Sequence, residues 1–249
     1  FAEKNIKFGE YEFSGKTSPN KVFNKLKNGE IYLRKITIIE GSSKYDLFEK
    51  IKEIYPSNVV DFSDISNFVV ADTYLFNFAE GPNKLIKNIN EISKTILNEL
   101  LKNSEITAPL KNKEEIFVLS SIIEKETSKD YERPVVSGVF YNRLNKGMRL
   151  QSDPTVVFSL TSGKGKLERK LLRKDLKFKS PYNTYINHGL PPLPICIPGK
   201  KSIEAAINPE SNDFFYFVAD PKKNEHIFSK EYRQHLKNIK KIKEFGTHD

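Results

Sequence analysis

The stretch KEEIFVLSSIIEKETSKDYERPVVSGVFYNRLNKGMRLQSDPTVVFSL, residues 113–160, decides how this chain is read. Ile116, Leu119, Ile122 and Ile123 recur at helical spacing, so Lys113 to Thr127 is expected to be a helix with one apolar stripe. At about 100° per residue from Leu119, Glu126 falls about 20° away, between Ile122 and Ile123 on that stripe. Glu124 falls on the far side, among the polar positions, and is expected to face solvent. A carboxyl that ends an apolar face loses hydration. Its pKa rises and it stays protonated nearer neutrality, which is what a general acid needs. Periodicity alone leaves other fates open for Glu126: a swing into water, or an ion pair with Arg133 or Arg143.

Outward from this helix, Val135 to Leu144 reads as a second helix beyond Pro134. From Gln151 the prolines at 154, 181, 191, 192, 194 and 198 punctuate a region expected to be rich in loops. Phe214 to Val218 is an aromatic strand, His226 to Phe228 pairs with it across the turn from Asp220 to Asn224, and a basic helix starts at Lys230. Upstream, Tyr11 to Phe13 reads as a short strand. An amphipathic helix carrying Val22, Phe23 and Leu26 follows and ends at Asn28-Gly29. Ile31 to Ile39 is β-branched and partly alternating, and reads as a strand. Lys44 to Tyr55 is a helix, Asp61 to Ser66 has the acids of a helix start, and Asp72 to Phe76 is a compact aromatic segment. Pro82 to Lys102 is a long helix whose face carries Leu85, Ile86, Ile89, Ile92, Ile96, Leu97 and Leu100. The expected fold class is α+β.

Composition narrows the chemistry. The 249 residues include 18 Phe, 11 Tyr and no Trp, so Phe and Tyr supply the aromatic packing of a chain long enough for a core. A net charge of +9 favours anionic partners without choosing among them. The basic residues form no nucleic-acid-binding motif, and no nucleic-acid partner is expected. The single cysteine, Cys196, lies between isoleucines and reads as a small buried hydrophobe. It excludes an intrachain disulfide. His226 and His235 stand too far apart for a metal pair, so no metal and no cofactor are expected. No apolar run approaches a membrane span, and the chain opens on Phe1 rather than Met.

Several motifs together resemble the endolytic murein transglycosylase family (YceG-like, MltG). They are S-I-I-E-K-E-T at 121–127, E-R at 132–133, V-F-x-N-R-L at 139–144 and G-M-x-L-Q-S-D-P-T-V at 147–156. Further on come Y-N-T-Y at 182–185, G-L-P-P at 189–192, S-I-x-A-A at 202–206, and the pair YFVAD and HIFSKEYRQH at 216–220 and 226–235. The match is ordered and covers about Ile116 to His235. FGEYEF at 8–13, TIIEG at 37–41 and ADTYLF at 71–76 agree more weakly. The chain departs from the pattern at Leu193, where Gly is usual, at Cys196-Ile197, and at Asn77, where Pro is usual.

The resemblance implies a small, partial LysM-like portion over residues 1–34. A mixed α+β catalytic domain over 35–249, with its core at 113–235, would follow. It implies a lytic transglycosylase that cuts the bond between N-acetylmuramic acid and N-acetylglucosamine in nascent peptidoglycan, leaves 1,6-anhydro ends and terminates strands. Carried over by motif, the catalytic residue is Glu126. The expected substrate-binding residues are Asn142, Arg143, Gln151, Ser152, Asp153, Tyr182, Asn183, Thr184 and Tyr185. Asn142 and Arg143 read equally as structural or as positioning Glu126. Asp153 reads first as a turn or capping residue before Pro154, and otherwise as a second carboxylate. The expected partners are glycan strands and cell-wall synthases. The expected location is the inner membrane, through a single-pass N-terminal anchor absent from this chain, with this region facing the periplasm and cell wall. Two alternatives stay open: a two-carboxylate glycoside hydrolase using Glu126 and Asp153, and a non-catalytic peptidoglycan-binding scaffold.

Overall fold

A computed structural model of the chain describes residues 6–102 and 104–246, without the side chains of residues 245 and 246. Residues 1–5 of the expected LysM-like portion, and 247–249 of the expected catalytic domain, lie outside the described residues. Eight helices and four strands among the described residues make an α+β fold. In the first part, α1 (Pro19–Asn28) starts at Ser18, whose side chain accepts from the Lys21 N–H. It stops at Gly29, whose positive φ of 65° lets its N–H turn back to the Leu26 carbonyl. No ladder forms over Tyr11 to Phe13, which the sequence suggested as a strand. The neighbouring Glu10 carbonyl takes one backbone bond, from Tyr32 N–H at 2.7 Å, and the Tyr11 hydroxyl folds back to the Lys7 carbonyl.

Two hydrophobic cores organise the rest. In the first, β1 (Arg34–Thr37) pairs antiparallel with β2 (Thr73–Phe76), with Ile36 opposite Tyr74. The strand expected over 31–39 is thus shorter, and the aromatic segment at 72–76 is its partner. Against this ribbon pack α2 (Lys44–Ile54) and α3 (Gly81–Leu101). A reciprocal cap starts α2: Ser43 Oγ accepts from Asp46 N–H at 3.0 Å and Asp46 Oδ2 accepts from Ser43 N–H at 2.8 Å. The helix stops at Ile54, one residue short of the expected Tyr55. On α3 the buried stripe includes Leu85, Ile86, Ile89, Ser93, Leu97 and Leu101, while Ile92 is exposed. Ser93 takes the inward position because its hydroxyl accepts from Val70 N–H at 3.1 Å and bonds the Tyr74 hydroxyl at 2.9 Å.

The second core surrounds α4 (Lys113–Glu126). All eight residues from Ile116 to Ile123 are buried, so the helix has no solvent face along that length. The expected apolar stripe is there, and Phe117, Val118, Ser120 and Ser121 are buried beside it. The two serines satisfy their hydroxyls on the carbonyls three residues back, each at 2.7 Å. Around α4 pack α5 (Arg133–Asn145), α6 (Asp153–Thr161) and α7 (Lys200–Ile207). Both α6 and α7 lie in the stretch expected to be loop. Pro154 sits in the first turn of α6, where its missing N–H costs nothing, so it opens that helix. A hairpin of β3 (Tyr216–Asp220) and β4 (Glu225–Ser229) follows, covered by α8 (Tyr232–Gly246).

Residues 195–199 stitch the two cores together. Gly41 N–H donates to the Ile197 carbonyl and Ile197 N–H to the Ser42 carbonyl, both at 2.8 Å. Ala71 N–H donates to the Pro198 carbonyl at 2.9 Å.

Gly138 on α5 lies against the Glu210 carbonyl and the Asn212 amide, and a Cβ there would overlap both. Helix propensity alone favours alanine at an interior glycine by about 1 kcal/mol. Gly138→Ala is nonetheless expected to lower stability by about 2 kcal/mol, the usual cost of overpacking. Denaturant unfolding measures the sign.

Candidate active site

The last residue of α4 is Glu126, and Thr127 behind it is already extended. Glu126 Oε1 accepts a hydrogen bond from the Ser152 hydroxyl at 2.5 Å. Ser152 is buried at the N-terminus of α6, and its own N–H donates to Thr184 Oγ1 at 3.0 Å. Thr184 bonds the Thr155 hydroxyl at 2.8 Å, and Thr155 donates to the Ser152 carbonyl at 2.7 Å. Three segments far apart in sequence, 126, 151–155 and 183–185, are therefore tied at one carboxyl.

Burial pushes the Glu126 carboxyl up to about 7, and the Asp153 carboxylate adds to the rise. The Ser152 hydrogen bond and the Arg143 charge pull the other way without cancelling it. Near neutral pH both protonation states are accessible, which suits a group that must first give and then take a proton.

Glu124 does not face solvent as its place on the helical wheel suggested. Its side chain is 5% exposed; Oε1 meets the Arg133 guanidinium at 3.0 Å and Oε2 accepts from Gly199 N–H at 2.9 Å. Arg133 also pairs with Asp130. A buried ionised carboxylate needs such partners, and wheel geometry cannot show them because they come from α5 and the start of α7. Of the two arginines weighed as partners for Glu126, Arg133 is taken by Glu124. Arg143 acts on Glu126 only through space.

The other expected site residues separate into two groups. Asp153 is exposed, is the first residue of α6 rather than its cap, and accepts from the Tyr185 hydroxyl at 2.5 Å. Burial and the Asp153 carboxylate both push the Tyr185 phenol up. Gln151 is exposed with a positive φ of 52°. Tyr182 packs on Phe158 with ring centroids 4.6 Å apart. Of these, Asp153 and Gln151 are exposed, and Tyr182 and Tyr185 are half-buried.

Asn183 is fully buried instead. Its amide donates to the Leu176 and Phe178 carbonyls at 3.1 and 2.8 Å, so it shapes its own loop and does not reach the surface. Thr184 is equally buried. Asn142 donates to the Asn212 and Phe214 carbonyls, each at 2.9 Å. Arg143 donates to the Phe215 and Leu150 carbonyls, each at 2.6 Å. These two hold the approach to β3 against α5.

A groove of about 820 Å³ runs beside the site, lined by Lys125 and Asp153, by Val157 and Phe158 of α6, and by Glu40 and Ser42 from the other core. A smaller cavity of about 260 Å³ shares Phe158 and Ile195 with it and is lined by Tyr182, Leu193 and Cys196. The departures at Leu193 and Cys196-Ile197 therefore fall on that cavity's wall. The proline loop divides: residues 193–197 line this cavity, and 189–192 line a separate pocket near the start of α4. Sequence reading did not find the wall at residues 40–46. Its visible signal was the Ser43/Asp46 cap, which marks a helix start and not a groove. Among the described residues no group of three or more His, Cys, Asp or Glu is placed to hold a metal ion. Among them, too, no helix is long and apolar enough to cross a membrane.

Comparison with known proteins agrees with the motifs. An endolytic murein transglycosylase of Bacillus subtilis (strain 168) is 36% identical over 178 residues, which is 70% of this chain and 46% of that protein. One of Streptococcus pneumoniae (strain D39) is 35% identical over 130 residues, 50% of this chain and 23% of that protein. The chain thus spans less than half the length of these relatives. A crystal structure of a yceG-like protein from Listeria monocytogenes superposes with a TM-score of 0.64 at 29% identity, covering 94% of this chain and 85% of that one. The family model described as the YceG-like family matches residues 1–241. The chain belongs to the YceG-like family.

Proposed function

We propose that this chain cuts the glycosidic bond between N-acetylmuramic acid and N-acetylglucosamine within nascent peptidoglycan, as an endolytic lytic transglycosylase, with Glu126 as both acid and base. The observation that carries this reading is the state of Glu126: a carboxyl with its pKa near 7, fixed by Ser152 beside an open groove. The names of the bacterial relatives supply the substrate class.

In this reading Ser152 engages Oε1 and Oε2 is left for the substrate. The protonated carboxyl gives its proton to the glycosidic oxygen as the bond to muramic C1 breaks and C1 gains oxocarbenium character. The carboxylate then takes the proton of the same sugar's C6 hydroxyl, and O6 closes on C1. Glu126 ends protonated, as it began, and no water is consumed. The Arg143 charge favours the intermediate carboxylate. In this reading Tyr185, Asp153 and Gln151 meet the sugars, while Thr184 and Asn183 support them from behind.

A second reading keeps Asp153 as a hydrolytic partner, because its carboxylate lines the groove and its charge is felt at Glu126. Its engagement with the Tyr185 hydroxyl favours a positioning role instead. The proposal also retains a LysM-like portion ending near residue 34, a single-pass anchor preceding the chain with this region at the periplasmic face, and synthases as partners in strand termination.

Four outcomes are expected. Glu126→Gln should lower turnover by about 10²–10⁴-fold, the usual worth of general acid–base catalysis. Circular dichroism should be unchanged, and the melting temperature at pH 8 should be no lower, since the variant buries no charge. Mass spectrometry of wild-type digests should find anhydro ends, with fragment masses summing to the parent strand; added water would establish the hydrolase. The rate should be maximal below about 7 and fall as pH rises through that value, since a raised pKa leaves the acid form dominant beneath it. Asp153→Asn should move that inflection to lower pH and Ser152→Ala to higher pH, read from pH–rate profiles.

A further inference from the structure

Glu132 stands between α4 and α5 with 3% exposure and lacks any arginine or lysine ion pair among the described residues. Its carboxylate is nonetheless filled. Oε2 accepts from the Thr127 hydroxyl at 2.6 Å and lies 2.7 Å from His226 Nδ1. Oε1 accepts from the His226 backbone N–H at 2.7 Å. These bonds hold the carboxyl below the ordinary value, although burial opposes them. Beside this contact the Tyr131 hydroxyl donates to Glu225 at 2.8 Å, so the same turn grips β4 twice. Thr127 is bonded to Glu126 through the peptide chain and carries the helix's last backbone bond, to the Ile123 carbonyl at 3.2 Å.

We propose that Glu132 is a positioning residue. By clamping Thr127 to His226 it fixes the turn on which Glu126 sits, and so keeps the Glu126 carboxyl aligned with Ser152. This rests on the reading of Glu126 as the acid and base. Without the clamp, Thr127 keeps its backbone bond to the Ile123 carbonyl and the bond that its hydroxyl accepts from the Lys129 N–H at 3.1 Å, but it loses its link to β4. A carboxyl released from its place gains water, and because burial is the largest influence on it, its pKa drops toward the ordinary value even though the Ser152 bond is lost. The ionisable groups whose fields reach Glu126 are Arg143 from α5, Asp153 from α6 and Tyr185 from the following loop. His226 of β4 faces Glu132, and Tyr131 lies close enough to feel its charge. None of them is altered by a change at Thr127.

The test uses Thr127→Val, which removes the hydroxyl and keeps the shape, Thr127→Ser, which keeps the hydroxyl, and Glu132→Gln, which puts a donor among three donors. Thr127→Val and Glu132→Gln are expected to lower kcat by about tenfold to a hundredfold, the scale of a small misplacement, with KM unchanged. Thr127→Ser should recover most of the loss. Carbon-13 titration of the Glu126 carboxyl, without substrate, should show its pKa falling below about 7 in Thr127→Val and returning in Thr127→Ser. A lower melting temperature with kcat and the Glu126 titration unmoved would overturn the proposal and leave Glu132 a structural residue. The titration reads the clamp even if the wild-type chain fails to cut glycan, so failure of the proposed reaction and failure of the clamp give different results.

Discussion

A helix that is apolar on every side can exist in water only if other elements enclose it. Between Ile116 and Ile123 α4 meets that condition with no solvent-facing residue. Leu119, Ile122 and Ile123 are each at 0% exposure, and burying such side chains is worth about 1.5–3 kcal/mol apiece. Three helices must come to α4 to collect that energy, and in doing so they fix the direction in which its C-terminal end points. The candidate site is therefore positioned by the hydrophobic core and only trimmed by its polar groups.

The end of α4 carries two carboxylates two residues apart, and the fold treats them in opposite ways. Glu124 is met by the Arg133 guanidinium and the Gly199 N–H; removing one member of such a buried pair generally costs about 3–5 kcal/mol. Glu126 receives a neutral hydroxyl and no direct cation, so burial governs its proton. The contrast lies in what neighbouring elements deliver. An arginine from α5 and a backbone N–H reach one carboxylate, and a serine from the start of α6 reaches the other.

Much of this was legible in the sequence, and the rest failed for identifiable reasons. The burial of Glu126's face followed from the spacing of Leu119, Ile122 and Ile123. The burial of Glu124 did not, because its partners are non-local. The helix α6 was hidden by Pro154, which marks loops in general but fits a first turn. The helix α7, at eight residues, offered little periodicity behind the proline-rich run. The strand β2 is four residues long, with its partner far upstream, whereas Tyr11 to Phe13 had strand composition and no partner to pair with. Within the Tyr182 to Tyr185 loop, sequence named all four side chains alike. Only coordinates separate Tyr185, which reaches Asp153, from Asn183, which is spent on its own loop's carbonyls.

The backbone bonds that join residues 197–198 to Gly41, Ser42 and Ala71 have a bearing on the groove. One wall belongs to the core around α4, the other to the core around the β1–β2 ribbon; these backbone contacts run along the seam, and α3 spans it, with Leu85, Ile86 and Ile89 in one core and Leu97 and Leu101 in the other. The groove's width is therefore not a property of either wall. It is set where two cores are joined by hydrogen bonds between backbone groups and by the shared helix α3, so side-chain replacement on the walls changes the lining more readily than the gauge. A chain built this way can change the chemistry of its groove while leaving the groove's dimensions as they are.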